Sequence, residues 1–351
     1  MTLRRRHVVV ALLVVVALAL PAGPAFADPA GPTHYRSTVT GVSAADGGPV
    51  PVEIDILGGD AFLVLRAAPG TTVEVPGYEG EPYLRIGPDG AVEVNERSPA
   101  RWLNDARYGG ADVEVPALAD ADAPPTWVPA ASDGEYAWHD HRVHFMSPSL
   151  PPGIDPGVDE AQEVLTWEVP LRVDGRDVVV SGQLAWVPGP GPAPSVVALL
   201  VLLAAVHLGL LRRPRWVGPV IAAAAVGALA VGAAGNLGLP AGAEGDLALV
   251  VLPIGALVVV AVGEVLGRRH EPARSLLVPA AGLPLAVWGV LQFGALTRPI
   301  VPSLLPVVVV RGSVVVVSAV AAAALLVAGR SVLERTRLQP DDDLRTERST
   351  G

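Results

Sequence analysis

Five apolar runs in the C-terminal part of the chain constrain its fold more than any other feature. They consist mainly of Val, Ala and Leu and lie at about 195–211, 216–234, 247–266, 275–295 and 306–329. Because about 20 apolar residues in a helix cross the hydrocarbon core of a bilayer, each run is long enough for one span. Together with a mean hydropathy of +0.45 for the whole chain, the runs predict an integral membrane protein with an all-α bundle of five transmembrane helices.

Arginines between and after these runs predict the orientation of the bundle. They follow the first run, the third run and the fifth run: Arg212, Arg213 and Arg215; Arg268, Arg269 and Arg274; Arg330, Arg335, Arg337, Arg345 and Arg348. Loops rich in basic residues remain in the cytoplasm. We therefore expect a multi-pass plasma-membrane protein with an extracellular N-terminal domain and a cytoplasmic tail at 330–351.

The N-terminus is typical of a cleaved secretory signal. A basic start at Arg4 to Arg6 precedes a short apolar stretch, and Ala25-Phe26-Ala27 fits the small-x-small rule for signal peptidase. We interpret 1–27 as the signal peptide, with an uncleaved signal anchor as the alternative. Its export agrees with the orientation indicated by the arginines.

Residues 28–187 alternate between apolar and polar positions in short segments separated by Gly, Pro and Asp, which is typical of an all-β domain. Strands are expected within 50–57, 61–67, 71–77, 82–87 and 91–95, and a hairpin within 165–188 that turns at Asp174-Gly175. Trp167 and Trp186 are expected in its core. Either one extended sandwich or two small β units fits this length, and a Pro/Gly linker at 188–194 leads to the membrane.

Charge and cysteine content exclude several classes of site. The segment 28–194 carries 26 acidic residues and nine arginines, so it repels nucleic acid and attracts cations. The chain has no cysteine, which excludes disulfides and thiolate metal ligands.

The segment WHDHRVHFM at 138–146 concentrates side chains that bind metals. His139, His141 and His144 lie within six positions, and Met146 is the only methionine besides the initiator. On one strand His139 and His141 would share a face, with His144 and Met146 on the other, so the four donors meet only if the chain turns near Arg142. His34 is a further candidate ligand from a distant strand.

The donor types favour copper, with zinc as the alternative. Imidazole binds both metals, whereas the thioether of Met146 is a good Cu(I) ligand and a poor zinc ligand. The competing interpretation is that the histidines are structural and pack within the β domain.

A second candidate surface lies within SPARWLNDARYGG at 98–110. Arg101, Trp102, Asn104, Arg107 and Tyr108 combine aromatic and cationic groups of the kind that bind a partner or ligand. The alternative is a loop packed on the β core.

The sequence has no H-E-x-x-H, G-x-S-x-G or P-loop motif, so an enzymatic function is not predicted. The spans carry few ionisable residues, which weakens the hypothesis of a transporter with an extracellular receptor domain. The small residues of AAAAVGALAVGAAG at 222–235 indicate close helix packing, within the chain or in a homo-oligomer.

WHDHRVHFM, GYEGEPYLRI and SPARWLNDARYG, together with the order of the segments, resemble those of a group of actinobacterial membrane proteins of uncharacterised activity. The resemblance implies the same architecture. The ligand cluster on an acidic exported domain predicts metal handling at the cell envelope. The first alternative is a membrane-anchored scaffold that docks an envelope protein.

Overall fold

The computed structural model describes residues 30–105, 107, 113–147, 149–241, 243 and 245–337. The predicted signal peptide, Tyr108 and the tail beyond residue 337 lie outside the described residues. Within them, the predicted architecture of an all-β domain followed by an apolar helical bundle is confirmed.

Ten strands form the N-terminal β domain, the domain that is predicted to be exported. They are β1 (Tyr35–Ala44), β2 (Val52–Leu57), β3 (Phe62–Ala67), β4 (Val73–Pro76), β5 (Pro82–Ile86), β6 (Val92–Asn95), β7 (Trp127–Ala131), β8 (Glu135–Trp138), β9 (Gln162–Val173) and β10 (Arg176–Trp186). A short helix, α1 (Pro99–Leu103), lies between β6 and β7. One antiparallel sheet has the order β1-β10-β9-β4-β5-β6-β7, and a second has the order β2-β3-β8.

The two sheets share one hydrophobic core, so the domain is a single sandwich and not two β units. Leu63, Leu65 and Trp138 of the smaller sheet pack in the same cluster as Val169 and Leu184 of the larger one. The predicted alternation explains this arrangement, because β9 and β10 bury every second side chain along most of their length.

The β9–β10 hairpin forms as expected. Asp174 and Gly175 have φ angles of 49° and 76°, the left-handed values that a two-residue type I′ turn requires and that Gly adopts without strain. Trp167 and Trp186 are buried, as predicted, and the Nε1 of Trp167 donates a hydrogen bond to Ser37 on β1 at 2.8 Å. This long hairpin forms the scaffold of the larger sheet.

Helices of the membrane region follow directly. They are α2 (Ala193–Arg212), α3 (Val217–Leu237), α4 (Ala248–Gly267), α5 (Glu271–Ala280), α6 (Gly282–Leu291), α7 (Gly294–Thr297) and α8 (Val307–Arg337). Five segments are long and apolar enough to span a membrane, and α5 and α6 together make the fourth. That span begins at Glu271, four residues before the predicted 275.

Small residues let the helices approach closely within the chain. A Cβ on Gly232 of α3 would lie 2.3 Å from the carbonyl oxygen of Leu249 in α4, so this contact requires glycine. Ala225 and Ala228 of α3 are fully buried nearby. The predicted small-residue packing therefore occurs inside this bundle.

The bundle core is apolar where the structure describes it. Val, Ala and Leu side chains surround Trp288, whose Nε1 donates to the carbonyl of Leu249 at 3.2 Å. Among the described residues of the spans and their ends, the only buried polar side chain is that of Gln292, which follows α6. A continuous polar path, which transport would require, is not seen among the described residues.

The β domain contacts one end of the bundle through two backbone hydrogen bonds. Thr33 donates to the carbonyl of Ile300 at 2.9 Å and accepts from its amide at 3.2 Å. Arg298 adds a hydrogen bond to the carbonyl of Pro32 at 2.8 Å. A small apolar cluster joins the β2-β3-β8 sheet to the loop between α3 and α4: Ala61, Phe62, Val64, Leu239 and Ala243.

Candidate functional site

The histidine-rich segment turns immediately after β8. The strand ends at Trp138, and His141–Val143 forms one turn of 3₁₀-helix. The expectation that His139 and His141 share one face of a strand is therefore wrong. The chain bends near Arg142. Such a bend is required if donors from both sides of the segment are to converge.

Asp140 organises this turn. Its carboxylate is fully buried and accepts hydrogen bonds from the Nε1 of Trp138 at 2.8 Å, and from the backbone amide, Nε and Nη2 of Arg142 at 3.0, 2.8 and 2.6 Å. Burial alone would raise the pKa of Asp140, but the contacts with Arg142 and Trp138 outweigh it and lower that pKa. The ionised carboxylate thus holds both flanks of the turn in place.

The turn brings His139 and His144 together. Their ring centroids are 6.1 Å apart, and both side chains are buried. The Nδ1 of His139 lies 2.6 Å from the carbonyl oxygen of Ala61. Because a carbonyl only accepts, Nδ1 carries the proton, and the lone pair of the neutral ring lies on Nε2.

Burial, together with the neighbouring His144 and Arg107, lowers the pKa of His139 from 6.5 to about 4. The imidazole is therefore neutral at ordinary pH. A neutral ring with its other nitrogen fixed on a carbonyl is the usual form of a metal-binding histidine.

His144 is oriented in the same way by a carboxylate. Its Nδ1 lies 3.4 Å from the Oδ2 of Asp60, a long hydrogen bond. Its Nε2 is buried and has no hydrogen-bond partner among the described residues. An unsatisfied buried nitrogen costs about 1–3 kcal/mol, so this atom indicates a ligand or water at that position.

Asp60 is itself held by a buried ion pair. It lies in the turn between β2 and β3 with 1% of its surface exposed, and its Oδ1 accepts from the Nη2 of Arg107. The same guanidinium lies 3.3 Å from the hydroxyl of Thr33. Because Arg107 engages the carboxylate, Asp60 acts as a positioning group for His144 and not as a metal ligand.

Of the other predicted ligands, His141 and His34 lie apart from the His139–His144 pair, and Met146 lies close to it in the chain. His141 stacks on Tyr78 with ring centroids 5.5 Å apart, and its backbone amide donates a hydrogen bond to the Tyr78 hydroxyl at 2.8 Å. His34 stacks on Trp186 at 5.1 Å and donates from Nδ1 to the carbonyl of Val187 at 2.9 Å. Met146 is half-buried in the irregular segment two residues after His144.

The described residues contain no group of three or more His, Asp or Glu side chains that could hold a metal ion. A tetrahedral zinc site, which takes four ligands, therefore finds too few donors here. Two imidazoles suit a metal that accepts fewer ligands, and Cu(I) is such an ion.

The predicted second surface is not one exposed patch. Arg101 pairs with Asp105 on the surface, and the Nε1 of Trp102 donates to the carbonyl of Glu96 at 2.9 Å. Asn104 is buried, accepts from the hydroxyl of Tyr78, and so packs on the β core. Arg107 belongs to the buried pair with Asp60.

The histidine pair lies where the exported domain meets the bundle. Phe62 contacts the ring of His139 at 4.3 Å between centroids and belongs to the apolar cluster that includes Leu239 and Ala243. Gly59 precedes Asp60, and a Cβ there would lie 3.1 Å from Ile300. The two histidines therefore lie next to the loops that join the spans at this end of the bundle.

The low pKa of His139 predicts that metal-free protein loses stability in mild acid. Between pH 6.5 and about 4, His139 binds a proton in the unfolded state but not in the folded state. The free energy of unfolding therefore rises with pH in this window. The contribution is complete above pH 6.5 and is lost as pH falls through about 4, at most about 3 kcal/mol in total.

Urea unfolding in detergent, followed by tryptophan fluorescence between pH 4.5 and 7.5, measures this slope. We expect His139→Asn to flatten it, because asparagine retains a donor to Ala61 but does not titrate. His141→Asn serves as the matched control and should keep the wild-type slope. Equal slopes for wild type and His139→Asn would contradict the prediction.

Asp60 and Arg107 were not predicted as parts of this site. Asp60 follows Gly58-Gly59, which alone indicates only a hairpin turn, and Arg107 stood among candidate surface residues. No local sequence signal marks this pairing, since Asp60 lies in the turn between β2 and β3 and Arg107 lies after α1, and only tertiary packing brings them together.

Comparison with known protein families, curated proteins and solved structures found no match. The functional assignment therefore depends on the geometry of the site.

Proposed function

We propose that this integral membrane protein binds Cu(I) between His139 and His144 in a domain exposed outside the cell, and that it handles copper at the cell envelope. The observation that carries the proposal is the buried Nε2 of His144, which lacks a hydrogen-bond partner among the described residues and belongs to a ring whose centroid is 6.1 Å from that of His139. Five segments that are long and apolar enough to span a membrane support a site anchored to a membrane. The arginine distribution supports the proposed orientation.

The arrangement of Nδ1 contacts supports metal binding at Nε2. Histidine ligands usually donate their second ring nitrogen to a carbonyl or carboxylate, which fixes the tautomer and the direction of the lone pair. Ala61 and Asp60 provide these two acceptors. Met146 is the candidate thioether ligand, because it follows His144 by two residues and a thioether favours Cu(I).

The surrounding charge is compatible with a cation. Asp60 and Arg107 neutralise each other in the immediate surroundings, while the segment 28–194 as a whole carries 26 acidic residues against nine arginines. Such a domain concentrates cations near its surface.

The test is anaerobic competition for Cu(I) between a chromophoric chelator and the full-length protein in nanodiscs. The double variant His139→Asn/His144→Asn keeps a donor near each Nδ1 position and removes both Nε2 atoms. We expect it to bind Cu(I) roughly 100-fold more weakly than wild type. X-ray absorption of the wild-type complex should show nitrogen neighbours from two imidazoles.

Two further variants sharpen the result. His141→Asn removes a nearby histidine outside the pair and should bind Cu(I) as wild type does. Met146→Leu should weaken Cu(I) binding without affecting any binding of Zn(II). If the double variant, shown to be folded by its thermal unfolding, binds Cu(I) as well as wild type does, the proposal is overturned.

A second candidate is a membrane-anchored scaffold whose histidines are structural. It is favoured by the packing of His139 on Phe62 and by the contacts between the exported domain and the bundle. In that case the double variant loses stability equally with and without copper. Crosslinking in cells would then recover an envelope protein on the wild-type domain.

A further inference from the structure

A cleft lies at the arginine-rich end of the bundle, on the side opposite the exported domain. Its volume is about 280 Å³. Residues from α2, α3, α5 and α8 and the intervening 3₁₀ turn line it, among them Leu210, Val278, Glu271, Arg274, Arg330 and Glu334. The lining is thus apolar on one side and charged or hydroxylated on the other.

The length of α8 places the charged side at the level of lipid headgroups. This helix has 31 residues, Val307–Arg337, and is therefore about 46 Å long. The hydrocarbon core is about 30 Å thick, so the last turns, which carry Arg330 and Glu334, extend beyond it. Glu271 begins the fourth span at the same end.

Apolar walls continue from this charged rim toward the membrane interior. Leu210 of α2 and Val278 of α5 are buried, and they face the same cleft as Val327 of α8. Helix α2 packs chiefly against α8, which leaves the space between α2 and α5 open along one side. A groove of this form fits an acyl chain attached to a polar headgroup.

The charges of the rim come in opposite pairs. Two arginines and two glutamates line the cleft, and Arg274 is held from outside the lining by Glu264 of α4, to which its Nε and Nη2 donate at 2.8 and 3.0 Å. The Nε of Arg330 donates to Glu334 at 2.7 Å, and the Arg330 side chain is still 60% exposed. The rim therefore offers both a guanidinium for a phosphate and a carboxylate for an ammonium group.

We propose that this cleft binds one phospholipid with a zwitterionic, amine-bearing headgroup, of the phosphatidylethanolamine class. The phosphate lies beside Arg330, the primary ammonium lies beside Glu271 and Glu334, and an acyl chain follows Leu210 and Val278. A primary ammonium donates hydrogen bonds to carboxylates. The quaternary ammonium of phosphatidylcholine has no N–H and cannot donate them. An anionic headgroup would leave Glu271 facing negative charge.

Native mass spectrometry of the full-length protein tests this proposal. Protein is released from nanodiscs that contain equal amounts of phosphatidylethanolamine, phosphatidylcholine and phosphatidylglycerol. We expect retained phosphatidylethanolamine to exceed each of the other lipids, and Arg330→Ala to reduce its occupancy about five-fold. Glu271→Gln should abolish the preference over phosphatidylcholine while keeping the shape of the side chain.

Arg215→Ala is the matched control, because Arg215 lies at the same end of the bundle but does not line the cleft. It should leave lipid retention unchanged. Equal retention of the three lipids by wild type, or equal retention by wild type and Arg330→Ala, would overturn the proposal. Displacement of the lipid by glycerophosphoethanolamine, which has no acyl chains, would also overturn it in favour of a soluble phosphate ligand.

Discussion

Replacing Asp60 with alanine should lower the free energy of unfolding of the exported domain by about 3–5 kcal/mol, because the change removes the carboxylate that pairs with a buried guanidinium. Asp60 is 1% exposed and Arg107 is 7% exposed. The change also removes the acceptor that orients His144. Urea unfolding of full-length protein in detergent, monitored by tryptophan fluorescence, measures the loss.

Two matched variants separate this effect from a general loss of acidic charge. Asp55→Ala removes a half-exposed partner of Arg66 and should cost less than about 1 kcal/mol. Asp60→Leu combined with Arg107→Met replaces the buried pair by apolar groups, so much of the stability should return. If Asp60→Ala costs no more than Asp55→Ala, the ion pair does not stabilise the domain.

Replacing Asp140 with alanine should cost about 3 kcal/mol or more and should also weaken Cu(I) binding. The fully buried carboxylate accepts four hydrogen bonds, three of them from Arg142 and one from Trp138. Its loss leaves a largely buried arginine without this carboxylate and a tryptophan Nε1 without this acceptor. Because the same carboxylate holds the turn between His139 and His144, both rings should lose their fixed separation.

Unfolding and Cu(I) competition measured on one preparation check this expectation. Asp133→Ala is the control, since Asp133 lies on the surface two residues before β8 and its side chain accepts a 3.3 Å hydrogen bond from the amide of Glu135. It should change the free energy of unfolding by less than about 0.5 kcal/mol. An equal effect of the two substitutions would contradict the role assigned to Asp140.

Much of the exported domain could be predicted because its signals are local. Alternation along β9 and β10 identifies the buried face of each strand, and Asp174-Gly175 specifies the turn that joins them. Strands β1, β7 and β8 were not predicted. The segments that form β7 and β8, WVPAA and EYAW, are too short to show a clear alternation, and they become strands because they pair with β6 and β3 at the edges of the two sheets.

The candidate site was predicted in part. The cluster of donors at 139–146 was apparent from residue types, but their grouping was not, because it depends on where β8 ends. His141 points to Tyr78, whereas His139 and His144 share a buried site with Asp60. Strand geometry alone would have paired His139 with His141.

The amino-acid sequence by itself determined the membrane spans, the β class of the N-terminal domain and the residue types from which the proposed metal site is drawn. These properties depend on hydrophobic length, on period and on side-chain chemistry, all of which are local to a segment. Only the tertiary structure decided that His139 and His144 meet, that the Asp60 carboxylate orients His144 and that Arg107 pairs with this carboxylate. Those relations join the β2–β3 turn, the residue at position 107 and the turn after β8, which are distant in the chain and become neighbours only when the core is packed.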